Sequence, residues 1–341
     1  MIKKTEDDIM KNWETIEAPL VSICCIAYNH ENYIEEAIDS FLIQETNFPF
    51  EIIIHDDAST DNTVDKIKVY RKKYPQLIKT ILQVENQFSQ GKNPMRLLNE
   101  KSKGKYIAIC EGDDYWIDAG KLQKQIDLMS QNPDCDMSFH AAEIYLNKNK
   151  HGKITGKHVN GNKIFSTSEV ILGGGSFCPT ASLIYRNGLF SPRPSYFDNA
   201  PVGDYFTQIT GSLNGGLLYI DQVMSVYRQG VPGSWSSSMV ESLDKVEKWS
   251  HSTLISLNDL NIYLNNKYQN EIQQRISDHY YFMSLYYLKN GMHEKFKKSI
   301  EASFNLYKLD SITYHLCYSF RSFHSFPKLI KYLRKIKALL K

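Results

Sequence analysis

Over residues 18 to 136, apolar runs that end in polar sequence alternate with segments of helical spacing. The runs are Val21 to Ala27, Glu51 to Ile54, Ile78 to Val84 and Lys105 to Cys110. Short apolar runs bounded by turn-forming residues read as buried strands. Between and after them, Glu31 to Ile43, Asn62 to Tyr74 and Lys121 to Ser130 place apolar residues on helical faces. Asn93-Pro94 reads as a cap followed by proline at the first helical position. A β-α-β-α order of this kind builds a mostly parallel sheet sandwiched by helices. Ligands bind such sheets beyond the carboxyl ends of the strands.

Three strand ends are therefore expected at one edge: Tyr28-Asn29-His30, Asp56-Asp57-Ala58-Ser59-Thr60-Asp61 and Glu111-Gly112-Asp113-Asp114. Ser59, Thr60 and Asp61 suit a helix cap, which leaves Asp56 and Asp57 unexplained. Three carboxylates after a buried strand are costly to hold together without a cation. A divalent metal carrying a substrate's phosphates would give them a reason to be there. Two acidic clusters at equivalent strand ends are stronger evidence than either alone.

The bulk numbers narrow the classes. A net charge of +2 over 341 residues gives no case for a nucleic-acid binder. The first eight residues lack the apolar core of a signal peptide, and no apolar run approaches the roughly 20 residues of a membrane span. Six cysteines stand without CxxC spacing, which suggests a reduced, cytoplasmic protein with neither disulfides nor zinc.

Beyond residue 136 the pattern changes. Met137 to Leu146 and Ile154 to Phe165 read as strands around a polar turn, Asn147 to Gly152. Ser168 to Leu172 suits a short helix, Phe177 to Tyr185 a strand, Gly203 to Leu213 a helix and Leu217 to Tyr227 a strand. From residue 241 only helical patterns remain, and the aromatic cluster around Tyr280, Tyr281, Phe282, Tyr286 and Tyr287 suits packing between antiparallel helices. The expected organisation is one α/β domain over 1–240, in two halves (18–136 and 137–240), then a helical region over 241–341. The last segment, 327–341, sets Leu329, Ile330, Leu333, Ile336, Leu339 and Leu340 on one helical face, with six Lys or Arg and no acid. Such a helix suits the surface of an anionic membrane, or packing on a core.

Pro19 to Asn29, Glu51 to Asp61 and Glu111 to Asp114 together resemble the successive signatures of family 2 inverting glycosyltransferases with the GT-A fold, over roughly residues 18 to 230. The resemblance implies that Ala27, Tyr28 and Asn29 line a nucleoside pocket and that Asp57, preceded by Asp56, reads base and ribose. It implies that Glu111 and Asp113 are the two acids of the DxD motif, with Asp113 on Mg2+ or Mn2+ and Glu111 on ribose or metal. Glutamate at 111 departs from the commonest form. Asp114 would orient the metal or touch the donor sugar. Asp204, opening a helix after Pro201-Val-Gly203, matches the acid that supplies the catalytic base, although the family's usual preceding glutamate is Gly203 here. Arg228 matches an arginine or histidine that meets the diphosphate. The segment from Gln229 to Ser237 suits a flap that closes over bound nucleotide, with Trp235 as its anchor. By analogy, Gly173 to Pro179 forms an acceptor-side loop. The implied activity is transfer from a nucleotide-sugar, most simply a UDP-sugar, to a glycan or lipid-linked glycan, by a cytoplasmic enzyme that would lie on the inner face of the cell membrane if the helix over 327–341 binds lipid rather than the core.

Two other classes compete. A sugar nucleotidyltransferase would need a Gly-rich, basic phosphate loop after the first strand, and Tyr28-Asn-His-Glu31 offers none. A nucleotide-sugar-binding protein without transferase activity would not need Asp204 beside the acid cluster.

Overall fold

The computed structural model describes residues 4–15, 17–146, 149–232 and 242–323. The segment 327–341, Trp235 and most of the Gly/Ser-rich stretch around it lie outside the described residues. The chain divides into two compact units, residues 1–193 with 204–241, and residues 194–203 with 242–341.

The first unit opens with α1 (Glu6–Met10), capped by Thr5. It continues through β1 (Val21–Ala27), α2 (Ile34–Leu42), β2 (Phe50–Asp56), α3 (Thr63–Lys73), β3 (Ile78–Leu82), α4 (Pro94–Lys101) and β4 (Tyr106–Ile109). Then follow β5 (Tyr115–Trp116), α5 (Lys121–Gln131), β6 (Met137–Leu146), β7 (Asn149–Thr155), β8 (Lys163–Phe165), α6 (Thr167–Gly173), β9 (Ile184–Arg186), α7 (Gly203–Ser212) and β10 (Leu217–Gln229). The sheet order is β3-β2-β1-β4-β9-β6-β10-β5, with β7 beside β6 and β8 beside β10. The first four strands are parallel. β9 joins them antiparallel to β4 and β6, so the second half of the sheet is mixed.

β2 is buried along its whole length and β1 at every residue but the half-buried Ile26, as expected of strands covered on both faces. Their register is unbroken from Val21 opposite Phe50 to Ala27 opposite Asp56. Ile23, Phe41, Ile52, Tyr70 and Trp116 belong to one core between sheet and helices. Burial of each such side chain contributes about 1.5–3 kcal/mol. Asn93 caps α4 by accepting the Met95 N–H at 2.9 Å, with Pro94 at the first helical position.

Four expectations change, the first being the strand over Ile154 to Phe165, which is broken between the end of β7 at Thr155 and the start of β8 at Lys163. Asp56 is the last residue of β2 rather than part of the turn after it. Asn149 to Gly152, read as turn, belongs to β7, whose edge position leaves its side chains exposed and so without a burial pattern. Phe177 to Leu183, read as strand, is irregular and includes a 3-10 turn at Thr180–Ser182. Pro179 has no N–H to give a ladder, and its carbonyl accepts instead from Ser182 N–H at 3.0 Å.

β10 is long and irregular. Against β6 it shifts register between Ile220 and Val223 and again between Val223 and Ser225. Past these bulges it pairs with β5 on its other side, Ser225 opposite Trp116 and Val226 opposite Tyr115.

The second unit contains α8 (Leu243–Tyr263), α9 (Gln269–Lys289), α10 (His293–Leu306) and α11 (Ile312–Ser319). Val246, Met283, Tyr287, Phe296, Ile300 and Tyr314 form its core, with Tyr281 and Tyr286 packed against it. Phe282 is the exception in the aromatic cluster, at 52% exposed. Ser277 and Ser303 bond across the α9–α10 contact at 2.8 Å.

Candidate active site

The carboxyl end of β1 organises the site. Ile26 C=O accepts the Gly112 N–H at 2.8 Å, and Ala27 C=O accepts the Asp57 N–H at 2.9 Å. The two acidic turns therefore flank the same two residues, one on each side, at the same edge of the sheet. Gly112 is required by close approach: a Cβ there would lie 2.9 Å from His30 Nδ1 and 3.0 Å from Ile34 Cδ1.

In the first turn the acids are satisfied. Asp56 accepts from Ser59, through its backbone N–H at 2.9 Å and its hydroxyl at 2.5 Å. That geometry holds Ala58 in a left-handed conformation, φ 63°. Ser59 Oγ in turn accepts the Asn29 N–H at 2.9 Å, and Asn29 Oδ1 accepts the Thr60 N–H at 2.8 Å. Asn29 is itself left-handed, φ 55°, a conformation asparagine tolerates well. Asp61 accepts from Glu31 N–H and from Thr63. Burial would raise its pKa, but the Thr63 and Glu31 hydrogen bonds outweigh it and leave the carboxyl below its ordinary value. Asp57 accepts the Gln87 N–H at 2.7 Å and the Phe88 N–H at 3.0 Å. It thus fixes the loop after β3, with Phe88 standing 60% exposed. Nothing in the polar composition of that loop marks it in the sequence. Ala27 is buried and Tyr28 is 41% exposed at the rim.

The second turn is different. Burial, and then the charges of Asp113, Asp204 and Asp114, push the Glu111 carboxyl well above the carboxylate range. Burial and Asp113 do the same to Asp114, against an opposing pull from Arg228. Asp114 is 1% exposed; its Oδ1 accepts the Arg228 N–H at 2.8 Å, while its buried Oδ2 has no partner. His30 Nε2 lies 3.9 Å from Asp113 Oδ2, and burial lowers the His30 pKa despite that neighbour.

Asp204 stands in the first turn of α7, where the helix dipole favours an anion. Its Oδ2 accepts from the Thr180 hydroxyl at 3.3 Å. Burial raises its pKa against that bond. The loop before Thr180 is tied to the same helix: Gln208 Nε2 donates to Gly175 C=O at 3.1 Å, and Tyr205 Oη to Ile171 C=O at 2.5 Å. Tyr227, which the sequence marks only as a strand end, is pushed up to about 12 by burial and then by Asp114, Glu111, Asp113 and Asp204. The same four carboxylates thus act on one phenol.

Arg228 is turned inward. Its side chain is 2% exposed, with Nη1 donating to Asp113 C=O at 2.5 Å and Nη2 to Glu36 Oε2 at 2.6 Å. Both terminal nitrogens have a partner within the protein here, whereas the expected partner was a diphosphate.

Whether a divalent cation fits can be judged from the donors. Glu111, Asp113, Asp114 and Asp204 offer oxygen only, the ligand type that Mg2+ and Mn2+ take. Burial and mutual repulsion raise Glu111 and Asp114, and one buried Asp114 oxygen is unpartnered. A cation would relieve the repulsion and give that oxygen a partner. Among the described residues no three acidic, imidazole or thiol groups converge as a metal site. The donor set fits the cation in kind.

A partly parallel sheet with paired acidic turns at the carboxyl edge, faced by an acid on a helix, defines a GT-A glycosyltransferase fold. S. aureus TarS 1-349 in complex with UDP-GlcNAc shares that fold with a TM-score of 0.62, over 91% of this chain and 87% of that one, at 17% identity. The chain belongs to glycosyl transferase family 2, whose model matches residues 22–191. An uncharacterized protein of Mycobacterium tuberculosis is 34% identical over 241 residues, 70% of this chain and 66% of that protein. WfaP of Escherichia coli, a UDP-Glc:alpha-D-GlcNAc-diphosphoundecaprenol beta-1,3-glucosyltransferase, is 35% identical over 133 residues, 38% of this chain and 47% of WfaP. Among the described residues no helix is long and apolar enough to cross a membrane.

Proposed function

We propose that this chain is a metal-assisted, inverting glycosyltransferase that moves a hexosyl or N-acetylhexosaminyl group from a UDP-sugar to a hydroxyl of a growing cell-surface glycan. One observation carries the reading: four carboxylates from two separated parts of the chain, Glu111, Asp113, Asp114 and Asp204, act on each other and on Tyr227. Family membership supports sugar transfer. WfaP's UDP-Glc donor and lipid-diphosphate acceptor support a UDP-sugar and a lipid-linked glycan here.

In this reading the turn of Ala27, Tyr28 and Asn29 lines the nucleoside pocket, and Asp57 shapes it by holding the Gln87–Phe88 backbone as well as by contact with base or ribose. Asp56 acts on the turn through Ser59. Asp113 and Glu111 would hold Mg2+ or Mn2+, which when bound would neutralise charge on the leaving diphosphate. Asp114, buried on Arg228 N–H, keeps Asp113 in place. Asp204 accepts the proton of the acceptor hydroxyl at a carboxylate oxygen while that hydroxyl's oxygen attacks the anomeric carbon. Its raised pKa makes it a stronger base once ionised. Attack from the face opposite the diphosphate inverts the anomeric centre, so an α-linked donor yields a β-linked product. The loop Gly173 to Pro179, tied to α7, lies on the acceptor side. The basic segment 327–341 holds the enzyme on the inner membrane face; its deletion should move the protein from membrane to soluble fractions, and no shift would remove that part.

The test of the whole is a panel of nucleotide-sugars scored for Mn2+-dependent thermal stabilisation and for turnover with a lipid-linked acceptor. Stabilisation without turnover by any donor and acceptor pair would favour a binding protein instead.

A further inference from the structure

We infer that Arg228 is a positioning residue: it clamps the acid loop from behind, with Glu36 as its outer anchor, and does not bind the donor's phosphates. The inference rests on the acid loop being the donor site proposed above. Five contacts converge on this side chain and its amide. The backbone N–H holds Asp114 Oδ1 at 2.8 Å, and Nη1 holds the Asp113 carbonyl at 2.5 Å. Nη2 pairs with Glu36 on α2 at 2.6 Å. The guanidinium lies over the rings of Tyr115, 4.5 Å to the centroid, and Tyr33, 5.1 Å. Nε is buried without a partner.

The arrangement ties β10, α2 and β5 to the two residues that most need fixed positions. A planar fork can reach a carbonyl and a carboxylate at once and still stack on aromatic faces, which a single ammonium cannot reproduce. Groups behind metal-holding acids commonly set the orientation of those acids. The guanidinium also sets a positive charge behind Asp113 and Asp114, whose atoms it and its amide hold. With its side chain only 2% exposed, the guanidinium would have to move from this seat to reach a phosphate in solvent.

The two roles separate in a calorimetric titration of UDP into the full chain, with and without Mn2+. Glu36→Gln sits where the side chain is 54% exposed and should leave the fold intact. As an anchor, Glu36 should matter: the variant should bind UDP about tenfold more weakly in Mn2+, with metal-free binding unchanged. Arg228→Lys should lose at least as much in the same metal-dependent way. The double variant should lose little more than Arg228→Lys alone, since the two side chains act as one unit. A direct phosphate contact predicts the reverse. Glu36→Gln would free the guanidinium and leave UDP affinity equal or higher, and Arg228→Lys would lose affinity equally with and without Mn2+. Either result overturns the inference, and Glu36→Gln decides alone if Arg228→Lys does not fold. A wild-type chain that binds no UDP in Mn2+ would instead overturn the donor-site reading, and this inference with it.

Discussion

The two acidic turns flank the same strand end, yet they are opposites. Around Asp56, Asp57 and Asp61 the carboxylates accept from backbone amides and hydroxyls of their own surroundings. Around Glu111, Asp113 and Asp114 the acids mostly repel one another, and one buried oxygen has no partner. Carboxylates of the first kind are spent on holding the backbone. Those of the second kind are kept unsatisfied, at a cost in stability, and so remain available to something that arrives from outside. Clustered acids alone do not distinguish the two; their hydrogen bonds do.

Mutations can break this contrast. The largest effect should fall on Asp204, whose carboxylate adds to the unsatisfied cluster. Asp204→Asn should lower kcat by about 10²–10⁴-fold while UDP-sugar affinity holds; transfer at the wild-type rate would remove its assignment as base. Next come substitutions that should act on stability in opposite directions. Asp56→Ala strands the Ser59 amide and hydroxyl and should cost about 1–3 kcal/mol, read as a lower denaturation midpoint. Asp113→Asn removes a repelling charge and should leave the metal-free midpoint equal or higher while abolishing the Mn2+ response. If both variants destabilise alike, the distinction between the turns fails. Gly112→Ala, which pushes a methyl onto His30 and Ile34, should cost about 1–3 kcal/mol in the same assay; a neutral result would mean the turns are not held in that contact.

The smallest effect is in pH. Glu111, Asp114 and Asp204 have raised pKa values in the fold, so their contribution to stability is greatest below the ordinary carboxylate value and is lost as pH rises through their folded values. Asp61 is lowered, so its contribution is present above its ordinary 3.8 and is lost as pH falls through its folded value. Bound Mn2+ should offset only the first kind of loss. The thermal gain from Mn2+ should therefore grow as pH rises above the ordinary carboxylate value, and a gain that is flat with pH would contradict the assignment.

Much of this was legible in sequence. β1 and β6 have the expected bounds, because a continuous apolar run between turn signals is a strong local statement. That the turns carrying Asp57 and Asp113 leave the sheet at one edge followed from the parallel topology of β1, β2 and β4. What escaped depends on partners distant along the chain. β5 is two residues long, too short to have a period, and exists because Tyr115 and Trp116 find Val226 and Ser225. The inward turn of Arg228 depends on Glu36, 192 positions away. Asp56 and Asp113 look alike as letters; only Ser59 Oγ beside one and repelling acids beside the other tell them apart.

The two register shifts in β10 have a consequence for how this protein can vary. Between Ile220 and Ser225 the strand uses three more residues than β6 spends over His140 to Ala142. Side chains alternate along a strand, so an odd surplus inverts the parity of everything beyond it. Removing a single residue there would exchange the faces of Tyr227 and Arg228, turning the phenol away from the acids and the guanidinium out from behind them. Length in this short stretch is therefore as constrained as chemistry, and homologous strands should tolerate insertions or deletions here only in pairs.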